Sequence, residues 1–225
     1  AESGAHAGVH NFQIRQEKDA QSCFGSSRSF GEYRLRRDRQ PRRVRPVLTQ
    51  SGASRMPEIF RLFLIKPSHY DNDGYVIQWV RSAIPANTLA AMNGLALDCA
   101  ERKVLGEEVE IRITIWDETN TRIRPETIIR EMRESGGRGL VALVGVQTNQ
   151  FPRAMDIAKP LRAAGIQVCI GGFHVSGTIA MLPEMPPELT EAMALGITLF
   201  AGEAERRLGD LLRAAWRREL EPLYN

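Results

Sequence analysis

Leu140-Val141-Ala142-Leu143-Val144-Gly145-Val146 is apolar at every position. A run without polar alternation, entered through Gly136-Gly137 and left through Gln147-Thr148-Asn149-Gln150, reads as a strand covered on both faces, the centre of a parallel sheet. The stretch before it fits that reading. Val109-Glu110-Ile111-Arg112-Ile113-Thr114-Ile115 alternates strictly, which predicts a strand with one wet face or an edge position. Between the two, Pro125 and Glu126 open a helix with a preset φ and a charge that suits the dipole, and Ile128, Ile129 and Met132 form its inward face. Further back, Ile59-Phe60-Arg61-Leu62-Phe63-Leu64-Ile65 reads as the first strand, ended by Lys66-Pro67. A helix starting near Ile84-Pro85-Ala86-Asn87 carries Leu89, Met92, Ala96 and Ala100, with Gly106 as its stop.

Downstream, a helix from about Pro152 to Ala164 takes Gly165 as its left-handed cap and is interrupted by Pro160. Ile166-Gln167-Val168-Cys169-Ile170 is the fourth strand and delivers Gly171-Gly172-Phe173-His174 to its carboxyl end. A Pro-rich stretch from Leu182 to Pro187 leads into a short helix ending at Gly196, then Ile197-Thr198-Leu199-Phe200 as the fifth strand. Ala204, Leu208, Leu211, Leu212 and Ala215 make one buried stripe on the last helix. Strands alternating with helices give an α/β fold: a doubly wound, flavodoxin- or Rossmann-like five-stranded parallel sheet with helices on both faces.

Composition bounds the rest. The chain has 225 residues, 43% hydrophobic and 25% charged, as expected for a globular protein, and its apolar runs fall short of the ~20 residues that a bilayer span needs. No membrane partner is expected. Residues 1–55 carry 11 Lys and Arg against 5 Asp and Glu, without helical or strand periodicity, and read as a disordered basic segment. It lacks the interleaved aromatics of a nucleic-acid stacking platform, and Met56 offers an alternative start for native coding. Residues 56–217 are the folded domain. Cys23, Cys99 and Cys169 are 76 and 70 residues apart, a spacing that suits neither a disulfide framework nor a zinc site, so a reducing cytoplasm is the expected compartment.

Doubly wound sheets bind ligands outside the carboxyl ends of their strands. The loops there are Pro67 to Asp71, Asp117 to Asn120, Gln147 to Gln150, Gly171 to Gly177 and Gly202 to Glu205, all polar or Gly-rich. Three of their features, in order, carry a resemblance: the apolar third strand with its small polar turn, the Gly171-Gly172-x-His174 turn, and Gly202-Glu203-x-Glu205 before the last helix. From about Ile59 to Asn225 the chain resembles the N-terminal cobalamin-binding domain of B12-dependent radical S-adenosylmethionine enzymes. The resemblance implies a corrinoid as small-molecule partner. It also implies a catalytic barrel in cis, whose three-cysteine motif holds a 4Fe-4S cluster that cleaves S-adenosylmethionine. No Cys-x3-Cys-x2-Cys occurs in the sequence, and residues 218–225 read as the linker toward that missing domain.

The candidate cofactor-binding residues are Ser68, His69, Tyr70, Gln147, Thr148, Asn149, Gly171, Gly172, His174, Ser176, Gly202 and Glu203. A corrin needs a wide apolar platform bordered by backbone and small polar groups. Gly171 and Gly172 let main chain approach the ring or its nucleotide tail, although a tight strand-to-helix turn explains them equally. Thr148 and Ser176 are placed to hydrogen-bond amide arms or the tail. Ser68-His69-Tyr70-Asp71 lacks the Asp-x-His-x-x-Gly spacing of proteins that bind cobalt through histidine, which weakens His69 as an axial ligand. His174 reads either as a donor at the cofactor rim or as a histidine ordering its own turn. Gln147, Thr148 and Asn149 also suit a helix cap, and Glu203 and Glu205 suit the positive end of a helix without any ligand. The adjacent acids Asp117 and Glu118 read as a solvated loop and no metal site, and Trp79 and Trp116 as core.

The expected function is therefore the cobalamin-binding module of a larger radical enzyme, not catalytic alone. A freestanding corrinoid carrier is one alternative, and a nucleotide- or flavin-binding flavodoxin-like domain another. Gly-x-Gly-x-x-Gly after the first strand and a phosphate-cradling P-loop are both absent, which counts against nucleotide binding. The first strand's end lacks the clustered acids of a receiver domain.

Overall fold

β1 (Glu58–Lys66) divides its side chains between two cores. Phe60, Leu62 and Leu64 point to one face of the sheet and Phe63 and Ile65 to the other, all fully buried. Burial on both sides is possible because β1 lies between two parallel neighbours, β2 (Val109–Asp117) and β3 (Gly139–Leu143). The structure, a computed structural model, describes residues 57–80 and 86–225. The basic segment 1–55, Met56 and the expected helix start at Ile84-Pro85 lie outside the described residues.

The remaining strands are β4 (Gln167–Gly171), β5 (Thr198–Phe200) and β6 (Leu223–Tyr224), and the sheet order is β2-β1-β3-β4-β5-β6, parallel throughout. This is the flavodoxin-like order, in which the direction of winding switches between β1 and β3. β3 is buried at every residue, as an uninterrupted apolar run requires. β2 takes the edge that its alternation predicts, and Arg112 pairs with Glu110 on its exposed face.

Helices α1 (Asn87–Glu101) and α6 (Leu208–Arg217) cover one face, closing over Phe60, Leu62, Leu64, Ala142 and Cys169. On the opposite face lie α2 (Pro125–Glu134), α3 (Phe151–Ala163), α4 (Phe173–Met181) and α5 (Pro187–Ala194), whose core includes Ile128, Ile157, Leu161 and Val175. Each large apolar side chain so buried contributes roughly 1.5–3 kcal/mol relative to exposure. Among the described residues no helix is long and apolar enough to cross a membrane.

Three details differ from the sequence-based expectation. The sheet has six strands, because Leu223–Tyr224, within the segment read as a linker, pairs with Leu199 and Phe200, and Tyr224 stacks on Phe200 with ring centroids 6.0 Å apart. The segment after Gly172 forms the helix α4, which its small and β-branched residues did not signal. Trp116 packs tilted against Phe63 at 5.5 Å, but Trp79 is 63% exposed.

The turns at the carboxyl edge of β3 and β4 are bonded to each other. The Val146 amide donates to the Gly171 carbonyl (3.1 Å), and the Val146 carbonyl accepts from the His174 amide (3.0 Å). Gly172 has φ +142°, and a Cβ on it would stand 2.2 Å from the Val146 nitrogen. Backbone cannot give way as a flexible side chain can, so this glycine is required by the turn itself. Gly172→Ala is expected to destabilise the fold by about 2–3 kcal/mol. Urea unfolding measures this, and a change under about 0.5 kcal/mol, the usual range for a neutral substitution, would contradict the packing described.

Candidate ligand-binding cleft

A cleft of about 610 Å³ opens at the carboxyl edge of β3, β4 and β5, between α1 and α6. The pleat of the sheet explains its floor: Ala142 and Val144 on β3 and the turn after it, Cys169 on β4 and Phe200 on β5 all present side chains to that face. Thr88, Ala91, Met92 and Leu95, one stripe of α1, make one wall, and Leu208 and Leu211 of α6 make the other. Gly145, Gly171, Gly172 and Gly202 bring bare backbone to its border. Gly145 has φ +64°, and a Cβ there would press on the Thr88 methyl at 3.1 Å.

Six of the twelve candidate residues line this cleft: Gln147, Gly171, Gly172, Ser176, Gly202 and Glu203. Ser176 Oγ accepts the Gly202 amide at 3.0 Å, which ties α4 to the turn before α6 across the mouth. The lining polar groups are Asn87, Thr88, Gln147 and Ser176, and the lining charges are Glu203 and Glu205, both exposed. The Cys169 thiol in the floor is pushed up to about 12 by burial, so it stays protonated and apolar in character.

The other six candidates lie elsewhere. Thr148 and Asn149 sit exposed in a single 3-10 turn; the buried Gln150 beside them accepts the Gln147 amide and donates to the Pro67 carbonyl (3.0 and 2.9 Å). Ser68, His69 and Tyr70 belong to the loop after β1, where His69 is half-buried and its carbonyl accepts from Ile77. Around this loop is a polar brace that the sequence reading missed. Glu118 is not solvated but fully buried, and its carboxylate accepts the Ser68 amide at 3.0 Å and the Arg153 guanidinium at 2.6 and 3.1 Å. Tyr70 donates to Asp156. Burial works against the charge on Arg153, but its bonds to Glu118 and Tyr70 outweigh that and raise its pKa. The brace fastens the loops after β1 and β2 to α3 at the switch in winding. Among the described residues no group of three or more His, Cys, Asp or Glu is placed to hold a metal ion.

His174 turns away from the cleft. Its ring lies against Phe151 with centroids 4.4 Å apart, Nδ1 is 3.4 Å from Thr148 Oγ1, and Nε2 faces Glu188 at 3.9 Å. Its backbone amide and its ring both join it to the Val146–Thr148 turn, and it does not line the cleft. Burial lowers its pKa below the ordinary histidine value, against a smaller opposing pull from Glu188. The residue at the cleft is instead its neighbour Phe173.

Comparison with protein-family models finds no match, and comparisons with curated proteins and with solved structures find none.

Two outcomes follow from this geometry. Arg153→Met leaves the Glu118 carboxylate buried without its partner and is expected to cost about 3–5 kcal/mol, whereas combining it with Glu118→Gln should recover most of the loss. Urea unfolding of both variants measures it, and equal losses would show that the ion pair is not the cause. The second concerns pH. Because the native pKa of His174 lies below that of the unfolded chain, the unfolded state takes up the proton first as pH falls below about 6.5. Stability should therefore fall as pH drops through that window toward the native value, and the fall should be shallower in His174→Gln. Parallel unfolding free energies for the two proteins between pH 7.5 and 5 would contradict the shift.

Proposed function

We propose that the chain is the cobalamin-binding module of a larger radical S-adenosylmethionine enzyme, with a corrinoid held at the carboxyl edge of the sheet. The observation that carries this reading is the cleft between α1 and α6, whose apolar floor is bordered by four glycines. A whole corrinoid is too large for it. Its volume suits one flat aromatic group, such as the base of the nucleotide tail, with the macrocycle lying over the rim outside. The residues present fit such a group. The walls and floor are aliphatic or aromatic, the glycines let main-chain amides and carbonyls approach, and Asn87, Thr88, Gln147 and Ser176 supply neutral hydrogen-bonding groups at the border. The carboxylates of Glu203 and Glu205 can accept from primary amide arms.

A bound corrinoid supplies cobalt-centred methyl-transfer or radical chemistry. The chain's own residues bind and orient it: α1 and α6 exclude water from the tail, and the bonded turns at Val146, Gly171 and His174 keep the rim rigid. Neither His69 nor His174 lines the cleft, and the reading assigns neither to cobalt. The iron–sulfur cluster and S-adenosylmethionine belong, in this reading, to a barrel in cis. A flavin or nucleotide is the weaker reading, because the Gly-x-Gly-x-x-Gly turn after the first strand and the P-loop that cradle their phosphates are absent from the sequence.

Purified protein mixed with about 50 μM hydroxocobalamin should retain the corrinoid through ultrafiltration, with a Kd in the micromolar range or below. Ala91→Trp, which adds bulk to the cleft from an exposed position on α1, should weaken uptake at least tenfold, about 1.4 kcal/mol, without lowering the melting temperature. Flavin mononucleotide should not be retained. Retention of the flavin and none of the corrinoid would overturn the assignment in favour of the flavodoxin-like alternative.

A further inference from the structure

Phe173 both lines the cleft and is 69% exposed. The next two residues, His174 and Val175, go into the core at the start of α4, so the helix could have turned an apolar ring inward there. Instead the ring folds back along its own helix. The three atoms nearest to where a Cβ on Gly177 would stand are Cζ, Cε1 and Cε2 of Phe173, at 3.5, 3.6 and 3.7 Å. Gly177 is one helical turn on from Phe173, in a helix interior where glycine is unfavourable relative to alanine; a Cβ there would touch the ring at van der Waals distance, and a longer side chain would have to share its place. The ring thus lies beside Gly177, largely exposed, at the border of the cleft. A mid-helix glycine is unfavourable locally, and departures from local preference of this kind are expected at functional sites.

We infer that the Phe173 ring, seated on Gly177, is the stacking platform for the flat body of the ligand whose tail enters the cleft. Resting on the reading given above, this is the face of a corrinoid macrocycle. The chemistry is apolar contact between a planar ring and a broad ring system, with no charge required. It makes Phe173, not His174, the working residue of the Gly171-Gly172-Phe173-His174 turn: the glycines shape the turn, His174 anchors it beneath, and Phe173 meets the ligand.

The test is hydroxocobalamin uptake by the full chain and by three variants, with melting temperatures measured alongside. Phe173→Ala should bind about tenfold more weakly with an unchanged melting temperature, because the ring removed is exposed. Phe173→Tyr should bind within about twofold of the parent. Gly177→Leu keeps Phe173 but puts bulk where the ring lies, and should weaken binding as Phe173→Ala does. Uptake by the parent that Phe173→Ala and Gly177→Leu leave unchanged would overturn the platform alone and leave the cobalamin reading standing. Absence of uptake by the parent would overturn both.

Discussion

The carboxyl edge of this sheet depends on one close approach of backbone to backbone. Val146, leaving the central strand, bonds through both its amide and its carbonyl to the turn that leaves β4, and a side chain at position 172 would collide with it. Everything built at this edge inherits its rigidity from that contact. The turn cannot relax outward, so α4 starts at a fixed place, Ser176 reaches the Gly202 amide, and the loop before α6 is held in turn. Three successive connections become one rim, and the space between that rim, α1 and α6 stays open because its border is made of glycines rather than side chains.

The two faces of the sheet are put to different uses. On the α3 side the carboxyl edge is polar and closed: the buried Glu118 takes the Ser68 amide and Arg153 together, and Gln150 reaches the Pro67 carbonyl. This brace fixes the loops at the switch in winding and leaves little there for a ligand. On the α1 and α6 side the edge is apolar and open, with the protonated thiol of Cys169 in its floor. Hydrogen bonds and a buried ion pair thus carry the architecture at one side, and the other side is left with open apolar surface. The exposed ring of Phe173 extends that surface beyond the cleft.

Much of this was legible in the sequence, for physical reasons that differ by element. The run Leu140 to Val146 announced a doubly covered strand, because apolar residues in a row leave no face for water, although the strand ends at Leu143 and Val144 to Val146 form the turn; the alternation of Val109 to Ile115 likewise announced an edge. Half of the candidate residues line the cleft, including all three glycines among them, since fold rules alone place such turns at the rim and a missing Cβ leaves backbone open there. What was not legible is direction. The sequence cannot tell which of Phe173 and His174 faces the cleft, since that follows from where α4 begins. Nor can it show that Glu118 meets Arg153, 35 residues away, so the acid looked like one more solvated loop residue. β6 was missed because two residues carry no periodicity of their own; Leu223 and Tyr224 become a strand by pairing with β5.

The central claim is that a flat ligand is held at the glycine-bordered cleft between α1 and α6. It is tested most directly by mapping backbone amide shifts in a ¹H–¹⁵N spectrum as hydroxocobalamin is added. The account expects the Gly145, Gly171, Gly172 and Gly202 amides to move together and saturate, while Gly165, at the opposite edge of the sheet before β4, stays still. Movement centred on Gly165 and its neighbours, or no saturable change at the four rim glycines, would contradict it.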